Sequence, residues 1–422
     1  MKPRTEAPWA ELTSIVGADH LRAASAADAV DGVAAQMVVE PGSADELALV
    51  LRCANDAGLS VVPRGGGTKL GWGNPPQGAD LVLSTARLDQ VLEHAWADMT
   101  ATVEAGCTVA RFQRTLGEHG QRLALDALWP ERATIGGILA TNDSGSLRVR
   151  FGALRDLIIG ITLALPDGTL AKSGGKVVKN VAGYDLPKLA TGSLGTLGVI
   201  TQAIFRLYPL PREVRSVSFT ASSPETLSKL VLAVQDSKLA FTGLQLCAQS
   251  GGPPELAVRF EGTTGGIEAQ LRQMLQLAAD TRQVDSPQDP WSAREALWSG
   301  SEPALICKCG VLPSQLSTLC GVVGRVAEPL GLAWRVVAQA LGLALVRLSG
   351  SQEQALPAAA AKLRSELEQL GGTLAILHCP PAVKKDIEVW GSTGDAQALM
   401  RRVKEQLDPN GTLNPGRFVG GI

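Results

Sequence analysis

Residues 63–73, PRGGGTKLGWG, constrain this chain more than any other stretch. They follow a short apolar run at 59–62 and set three consecutive glycines between Arg64 and Thr68. Glycine takes positive φ without steric cost, so such a run can turn its backbone N–H groups inward as a concave anion cradle. Arg64, Thr68 and Lys69 would add charge or a hydroxyl donor at the rim. Taken alone, the segment reads equally as a phosphate-binding loop or a mobile surface loop, because glycine-rich loops are common.

Two more glycine-dense segments follow, TIGGILATNDSG at 134–145 and KNVAGYDLPKLATGSLGTLGVI at 179–200. Strand-like runs at 80–84, 100–104 and 158–165 lie between the clusters. Clusters near 65, 137 and 195 could converge on one extended ligand, and a dinucleotide has that length. The order of elements matters here. QMVVE at 36–40 reads as a strand, and Ser43-Ala-Asp-Glu46 is a capping-box sequence. Leu47, Val50, Leu51 and Ala54 then mark one face of a helix that ends at Gly58. The strand at 59–62 delivers the chain into the first glycine loop. In a Rossmann fingerprint the glycines follow the first strand and open the helix. No GxGxxG follows a strand in this chain, which disfavours a nicotinamide cofactor in that fold.

With 422 residues, an apolar fraction of 45 %, a charged fraction of 19 % and a net charge of −2, the chain reads as a soluble globular protein of two or three domains. Near-neutral charge argues against nucleic-acid binding. No apolar run is long enough to span a bilayer, and the N-terminus lacks a signal-peptide pattern. The expectation is a cytoplasmic protein that reaches a membrane only through partners. Seven scattered cysteines fit reduced thiols. Cys307-x-Cys309 with Cys320 invites an iron–sulfur reading, but common clusters need four ligands, so two buried thiols on a strand is the preferred one. His20, His94, His119 and His378 form no HxH or HExxH pattern, so no metal site is expected. His378 reads as structural. Tyr184 reads as a core aromatic with a hydrogen-bonded hydroxyl. Lys172 reads as a solvated edge charge, and Lys179 as either that or a residue facing an anion.

The prolines of LYPLPR at 207–212 suit a domain exit. Beyond them the texture changes to alternating runs at 216–220 and 256–260, and to helical segments at 268–279 and 358–370. This reads as a separate α+β domain. The tail carries a helix at 395–407 and then DPNGTLNPGR at 408–417.

Together, PRGGGTKLGWG, TIGGILATNDSG, GYDLPKLATGSLGTLGVIT and DPNGTLNPGR resemble the FAD-binding domain of the vanillyl-alcohol-oxidase superfamily, the PCMH-type FAD domain. The resemblance covers roughly half the chain. Within the superfamily it is nearest to the FAD-binding subunit (the E subunit) of bacterial-type glycolate oxidase. It implies an α+β protein: a PCMH-type two-subdomain FAD-binding fold with a second α+β cap domain. The expected boundaries are an N-terminal extension at 1–30, the FAD domain at 31–212, the cap at 213–380, and a C-terminal segment at 381–422 that returns to the FAD domain.

Residue by residue, the resemblance implies that Arg64, Gly65, Gly66, Gly67 and Thr68 cradle the FAD pyrophosphate through backbone amides, with Leu70 and Gly71 finishing the loop. Thr134, Ile135, Gly136 and Gly137 would pack against the flavin and its ribityl–phosphate portion. Thr141, Asn142, Ser144 and Gly145 would add contacts. Gly195, Val199 and Ile200 would meet the AMP half, and Asn414 would return to the flavin edge. Covalent members often carry a histidine in the first loop, whereas Thr68 and Lys69 follow Gly67 here, so non-covalent FAD is expected. Related catalytic subunits carry histidine-rich metal motifs that this chain lacks, having only His378 after His119.

The resemblance therefore implies an FAD-binding subunit of a multi-subunit glycolate oxidase, partnered by a catalytic flavin subunit and an iron–sulfur subunit. Two alternatives stay open. One is a self-sufficient FAD dehydrogenase of another small 2-hydroxy acid or alcohol, with Lys308, Arg335 or Arg347 meeting the substrate carboxylate unless they are surface charges. The other is a flavin-bearing structural subunit with no turnover of its own.

Overall fold

The computed structural model describes residues 7–176, 183–285 and 289–422, so Lys179 lies outside the described residues. The chain is α+β and divides into two units. The first comprises Met1–Ser144, Ala153–Leu210 and Ser392–Ile422, and the second comprises Gly145–Gly152 and Pro211–Gly391. The expected block at 31–212 thus loses residues 145–152, and the chain returns to the first unit at Ser392 rather than at 381. The cause of the exchange is local. The one-turn helix Arg148–Phe151 packs on the strand Phe241–Gln249, and Arg259 Nη2 donates to Ser146 Oγ at 3.1 Å.

The first unit opens with a four-stranded sheet in the order β1-β2-β4-β3. Its strands are β1 (Leu21–Ala23), β2 (Met37–Val39), β3 (Val61–Arg64) and β4 (Leu81–Ser84). β4 runs parallel to both β2 and β3. The crossover from β2 to β3 is the helix Ala44–Asp56, which forms where capping and periodicity require it. Ser43 Oγ accepts from the Glu46 N–H at 3.1 Å, and the Glu46 carboxylate accepts from the Gly42 N–H at 2.7 Å. The helix buries Leu47, Val50, Leu51 and Ala54, the residues that the periodicity marks. β3 ends at Arg64, where the glycine loop begins.

The C-terminal tail comes back to that strand. Leu413 bridges Val61 in parallel register. Val61 N–H donates to Thr412 O at 2.8 Å, and Asn414 N–H donates to Val61 O at 2.9 Å. The tail therefore satisfies the open edge of β3.

Seven more strands complete this unit: β5 (Val91–Ala95), β6 (Thr100–Glu104), β7 (Gln121–Arg122), β8 (Ile158–Ala164), β9 (Leu170–Gly174), β10 (Val199–Arg206) and β11 (Tyr208–Pro209). Five of them form an antiparallel sheet in the order β5-β6-β10-β8-β9, and β7 pairs with β11. Lys172 is exposed on β9, an edge strand, as expected. Tyr184 is 90 % exposed and is not a core aromatic. It sits between Gly183 and the helix cap Asp185, a turn that holds its side chain in water.

The second unit is one eight-stranded antiparallel sheet. Its strands are β12 (Glu213–Thr220), β13 (Phe241–Gln249), β14 (Glu255–Gly262), β15 (Arg282–Val284), β16 (Ala304–Gly310), β17 (Ala333–Gln339), β18 (Leu343–Ser349) and β19 (Thr373–His378). Their order is β15-β12-β14-β13-β17-β18-β16-β19. The helices Pro224–Asp236, Thr264–Leu277, Leu316–Ala327 and Ala355–Gln369 bury Leu227, Ile267, Leu319 and Leu363 in one core with Val258, Leu305 and Val346 of the sheet. Cys307 and Cys309 are buried members of this core on β16, and burial pushes the Cys309 thiol up to about 12. His378 is exposed at the end of β19.

Asp28 ties the start of the chain to β3. Arg22 reaches it with both terminal nitrogens at 2.8 and 2.9 Å, Arg64 Nη1 at 2.8 Å, and Ser25 N–H at 2.9 Å. Asp28 is buried, and these donors, Arg22 foremost, hold its carboxyl far below the usual carboxylate range. A depressed carboxylate contributes stability above its unfolded value and loses it as pH falls. Asp28→Asn should lower stability near neutral pH by about 1–3 kcal/mol, the cost of lost charged hydrogen bonds. The gap should then close below about pH 4 at up to ~1.4 kcal/mol per pH unit. Urea midpoints of both proteins at pH 6, 4 and 3 check this, and a gap constant across that range contradicts it.

Candidate functional site

The glycine loop that follows β3 is shaped by contact rather than by mobility. A Cβ on Gly65 would lie 2.1 Å from Thr134 Oγ1, and one on Gly66 would lie 1.7 Å from the carbonyl oxygen of Arg132. Only glycine allows this approach, so the first glycine cluster is pressed directly onto the start of the second. Within the loop, the N–H groups of Gly65, Gly66, Gly67 and Thr68 find no acceptor among the described residues. Four successive amides without partners can serve as an anion-binding nest.

The second cluster opens with a short helix, Ile135–Thr141. Thr134 caps it by accepting from the Gly137 N–H at 3.3 Å. Gly136 N–H donates to Ala105 O at 2.7 Å, and a Cβ there would lie 2.9 Å from Ala105 Cβ. Thr141 Oγ1 donates back to Gly137 O at 2.8 Å. Asn142 closes the helix in the left-handed region at φ 48°.

The third cluster joins through backbone and tail. Gly192 and Leu194 N–H groups donate to Leu139 O and Ala140 O, both at 2.8 Å. Asn414 Nδ2 donates to Leu194 O at 2.6 Å. Gly195, at φ 68°, lies against Asn414 and Pro63.

These contacts frame a solvent-open concavity lined by Gly65, Gly66, Gly67, Thr68, Leu70, Thr134, Gly137, Thr141 and Asn414 of the expected set. Gly71, Ile135, Gly136, Asn142 and Ser144 flank it in sequence without lining it. Gly145 belongs to the second unit. Gly195 stands behind Asn414, and the side chains of Val199 and Ile200 are buried. Arg64 does not supply rim charge, because its guanidinium is committed to Asp28.

Two cations line the concavity: Lys69, expected at its rim, and Arg417, which was not expected there. Lys69 is buried rather than at the rim. Its ammonium lies 3.2 Å from Asp143 Oδ2, donates to Leu128 O at 3.5 Å, and sits over the rings of Trp72 and Trp129 at 5.8 and 5.3 Å. Arg417 is also buried, and it donates from Nη2 to Leu70 O and to Trp72 O, the latter at 2.7 Å. Burial pulls its guanidinium down to about 10, which leaves it cationic at neutral pH. Asp143 stands between Asn142 and Ser144, and Arg417 follows Asn414 in one turn.

An elongated anionic cofactor fits this arrangement. The nest offers four free amides beside two buried cations. Asn142 Oδ1, Ser144 Oγ and Asn414 Oδ1 are buried and have no hydrogen-bond partner. The residues lining the concavity include no histidine, cysteine or tyrosine. Among the described residues, no three His, Cys, Asp or Glu side chains group to hold a metal.

Gly66→Ala should therefore distort the nest. The new Cβ meets the Arg132 carbonyl, and overpacking of about 1–3 kcal/mol corresponds to a fall in FAD affinity of roughly five- to 150-fold. Flavin absorbance per mole of purified protein reads this, with circular dichroism as the folding control; full flavin content contradicts it. Acid precipitation of the wild-type protein should release all flavin, since covalent flavin would stay yellow in the pellet.

Comparison with known proteins gives the same cofactor. Residues 35–174 match a family model described as an FAD-binding domain, and residues 212–418 match the C-terminal domain of FAD-linked oxidases. Glycolate oxidase subunit GlcD of Bacillus subtilis is 26 % identical, over 90 % of this chain and 88 % of that protein. The mitochondrial D-lactate dehydrogenase [cytochrome] of Arabidopsis thaliana is 27 % identical, over 91 % of this chain and 73 % of that protein. A solved structure of p-cresol methylhydroxylase with substrate bound superposes with a TM-score of 0.79 at 14 % identity, covering 99 % of this chain and 97 % of that one. The two family models in tandem place the chain in the PCMH-type FAD-linked oxidases, and its cofactor is FAD.

Proposed function

We propose that this chain oxidises a small 2-hydroxy acid, or supports that oxidation, as the FAD-binding subunit of a glycolate oxidase or dehydrogenase complex. The observation that carries the cofactor half of this reading is the convergence of loop 65–68, Thr134, Thr141 and Asn414 on one concavity. The substrate half rests on similarity to GlcD and to D-lactate dehydrogenase, both named for 2-hydroxy acids. When bound, FAD supplies the acceptor for the hydride that leaves the carbinol carbon.

The protein's own part is binding and orientation. The amides of Gly65–Thr68 would hold the pyrophosphate with dipoles fixed before the ligand arrives. Lys69 and Arg417 would balance its charge from within the protein. Asn414, anchored by Nδ2 to Leu194 O and by its N–H to Val61 O, keeps its Oδ1 available to a cofactor polar group. Thr134 and Gly137 would form the wall. In the complex, electrons would pass to an iron–sulfur subunit, and a second flavin subunit would carry the metal-assisted chemistry for which this chain shows no ligand set among its described residues.

D-lactate dehydrogenase is as similar as GlcD, which favours keeping a second reading: a self-sufficient dehydrogenase of another 2-hydroxy acid. The two separate in one anaerobic experiment on the FAD-loaded protein. Glycolate should leave the isolated chain's flavin absorbance unchanged, and should bleach it once the partner subunits are added. Bleaching of the isolated chain by glycolate or D-lactate establishes the self-sufficient reading instead. No bleaching under either condition rejects both.

A further inference from the structure

The second unit carries a pair of cations that the flavin site does not use. Arg335 on β17 and Arg347 on β18 are directly opposed in the antiparallel register. Side chains paired this way emerge on one face of a sheet, about 5 Å apart at Cβ, and like charges there repel. Neither arginine has an ion-pair partner among the described residues. Arg335 is exposed. Arg347 is only 8 % exposed, which excludes the surface-charge alternative for it.

The surroundings of Arg347 are built around its guanidinium. Nη1 donates to Leu297 O at 2.6 Å, its one hydrogen bond among the described residues. Gly300, at φ 111°, brings its backbone so near that a Cβ would lie 3.2 Å from Arg347 Nη2. A guanidinium has five N–H donors, so most of this group's capacity is left over. Burial, and then the neighbouring charge of Arg335, pull its pKa down, and Glu302 offsets part of this. Both arginines line a solvent-open cleft, with Ser299, Ser301, Ser349 and the single carboxylate Glu302.

We propose that this cleft is a binding site for a small oxyanion, a phosphate or carboxylate group held between the two guanidinium groups and the serine hydroxyls. An oxyanion there converts the repulsion of the pair into attraction and uses donors that the protein leaves idle. Two arginines against one glutamate leave a net positive cleft. The site lies wholly within the second unit, and the proposal does not rest on the flavin reading.

The test uses the FAD-loaded full-length protein, so that the nest of the first unit is filled. Calorimetric titration with inorganic phosphate, and separately with succinate, is run against sodium chloride of equal ionic strength. At least one of the two anions should give saturable heat and raise the thermal midpoint. Phosphate alone identifies a phosphate site, succinate alone a carboxylate site, and both a general oxyanion site. Arg335→Ala, an exposed substitution that leaves the core intact, should weaken binding about tenfold or more, as expected for a lost charge-assisted hydrogen bond. Arg347→Gln should do the same where it folds, and Arg335→Ala carries the test where it does not. Neither anion exceeding chloride, or Arg335→Ala binding as tightly as wild type, overturns the proposal.

Discussion

Lys404 is buried, and its ammonium group donates to Asp408 Oδ2 at 2.5 Å, Thr196 O at 2.7 Å and Leu413 O at 2.9 Å. Burial disfavours its charge, and the Asp408 carboxylate restores it. Asp408 in turn accepts from the N–H groups of Thr412 and Leu413 at 2.9 and 2.8 Å. One ion pair therefore winds the tail turn and fixes it to the third glycine cluster. The same tail pairs with Val61, three residues before the glycine loop. Removing one member of a buried pair leaves the other uncompensated. Here it would also release the tail that carries Asn414 and Arg417.

Charge around the nest follows a division of labour. Asp28 neutralises Arg64 at the root of the loop, so the loop itself approaches a ligand with dipoles rather than a formal charge. The formal charges lie deeper. Arg417 spends hydrogen bonds on the carbonyls of Leu70 and Trp72, which shapes the loop's far side. Lys69 is paired with Asp143, which also accepts from the Leu128 N–H at 2.9 Å. Both cations are thus structural members of the cradle wall before any ligand binds. That is pre-organisation: the donors are positioned by folding, so little ordering remains for binding to supply.

Local features were the legible ones. The helix Ala44–Asp56 announces itself by a cap and a clean apolar face, and the close-approach glycines by their run. The short helix Ile135–Thr141 does not, because seven residues with two glycines carry neither propensity nor two full turns of periodicity. It persists through the Thr134 cap and the contact of Gly136 with Ala105. Arg64 was legible as a charge near the loop, but not its partner, since Asp28 lies 36 residues away. The same limit hid the Arg335–Arg347 pair, which exists only through the register of β17 with β18. The assignment of residues 145–152 to the second unit depends on distant contacts, the bond from Arg259 to Ser146 spanning 113 residues.

The two anion-holding arrangements differ in a way that bears on what each can hold. Backbone amides carry no net charge, do not titrate near neutral pH and repel nothing when empty. A nest of them costs the fold little beyond the glycines that make it, and suits a cofactor that stays. Two opposed guanidinium groups are different, since they oppose each other until an anion lies between them. Their cost falls on the empty state, so ligand binding stabilises the fold by more than its contacts alone, and loss of ligand restores the repulsion. An arrangement of that kind couples occupancy to stability and suits a ligand that comes and goes.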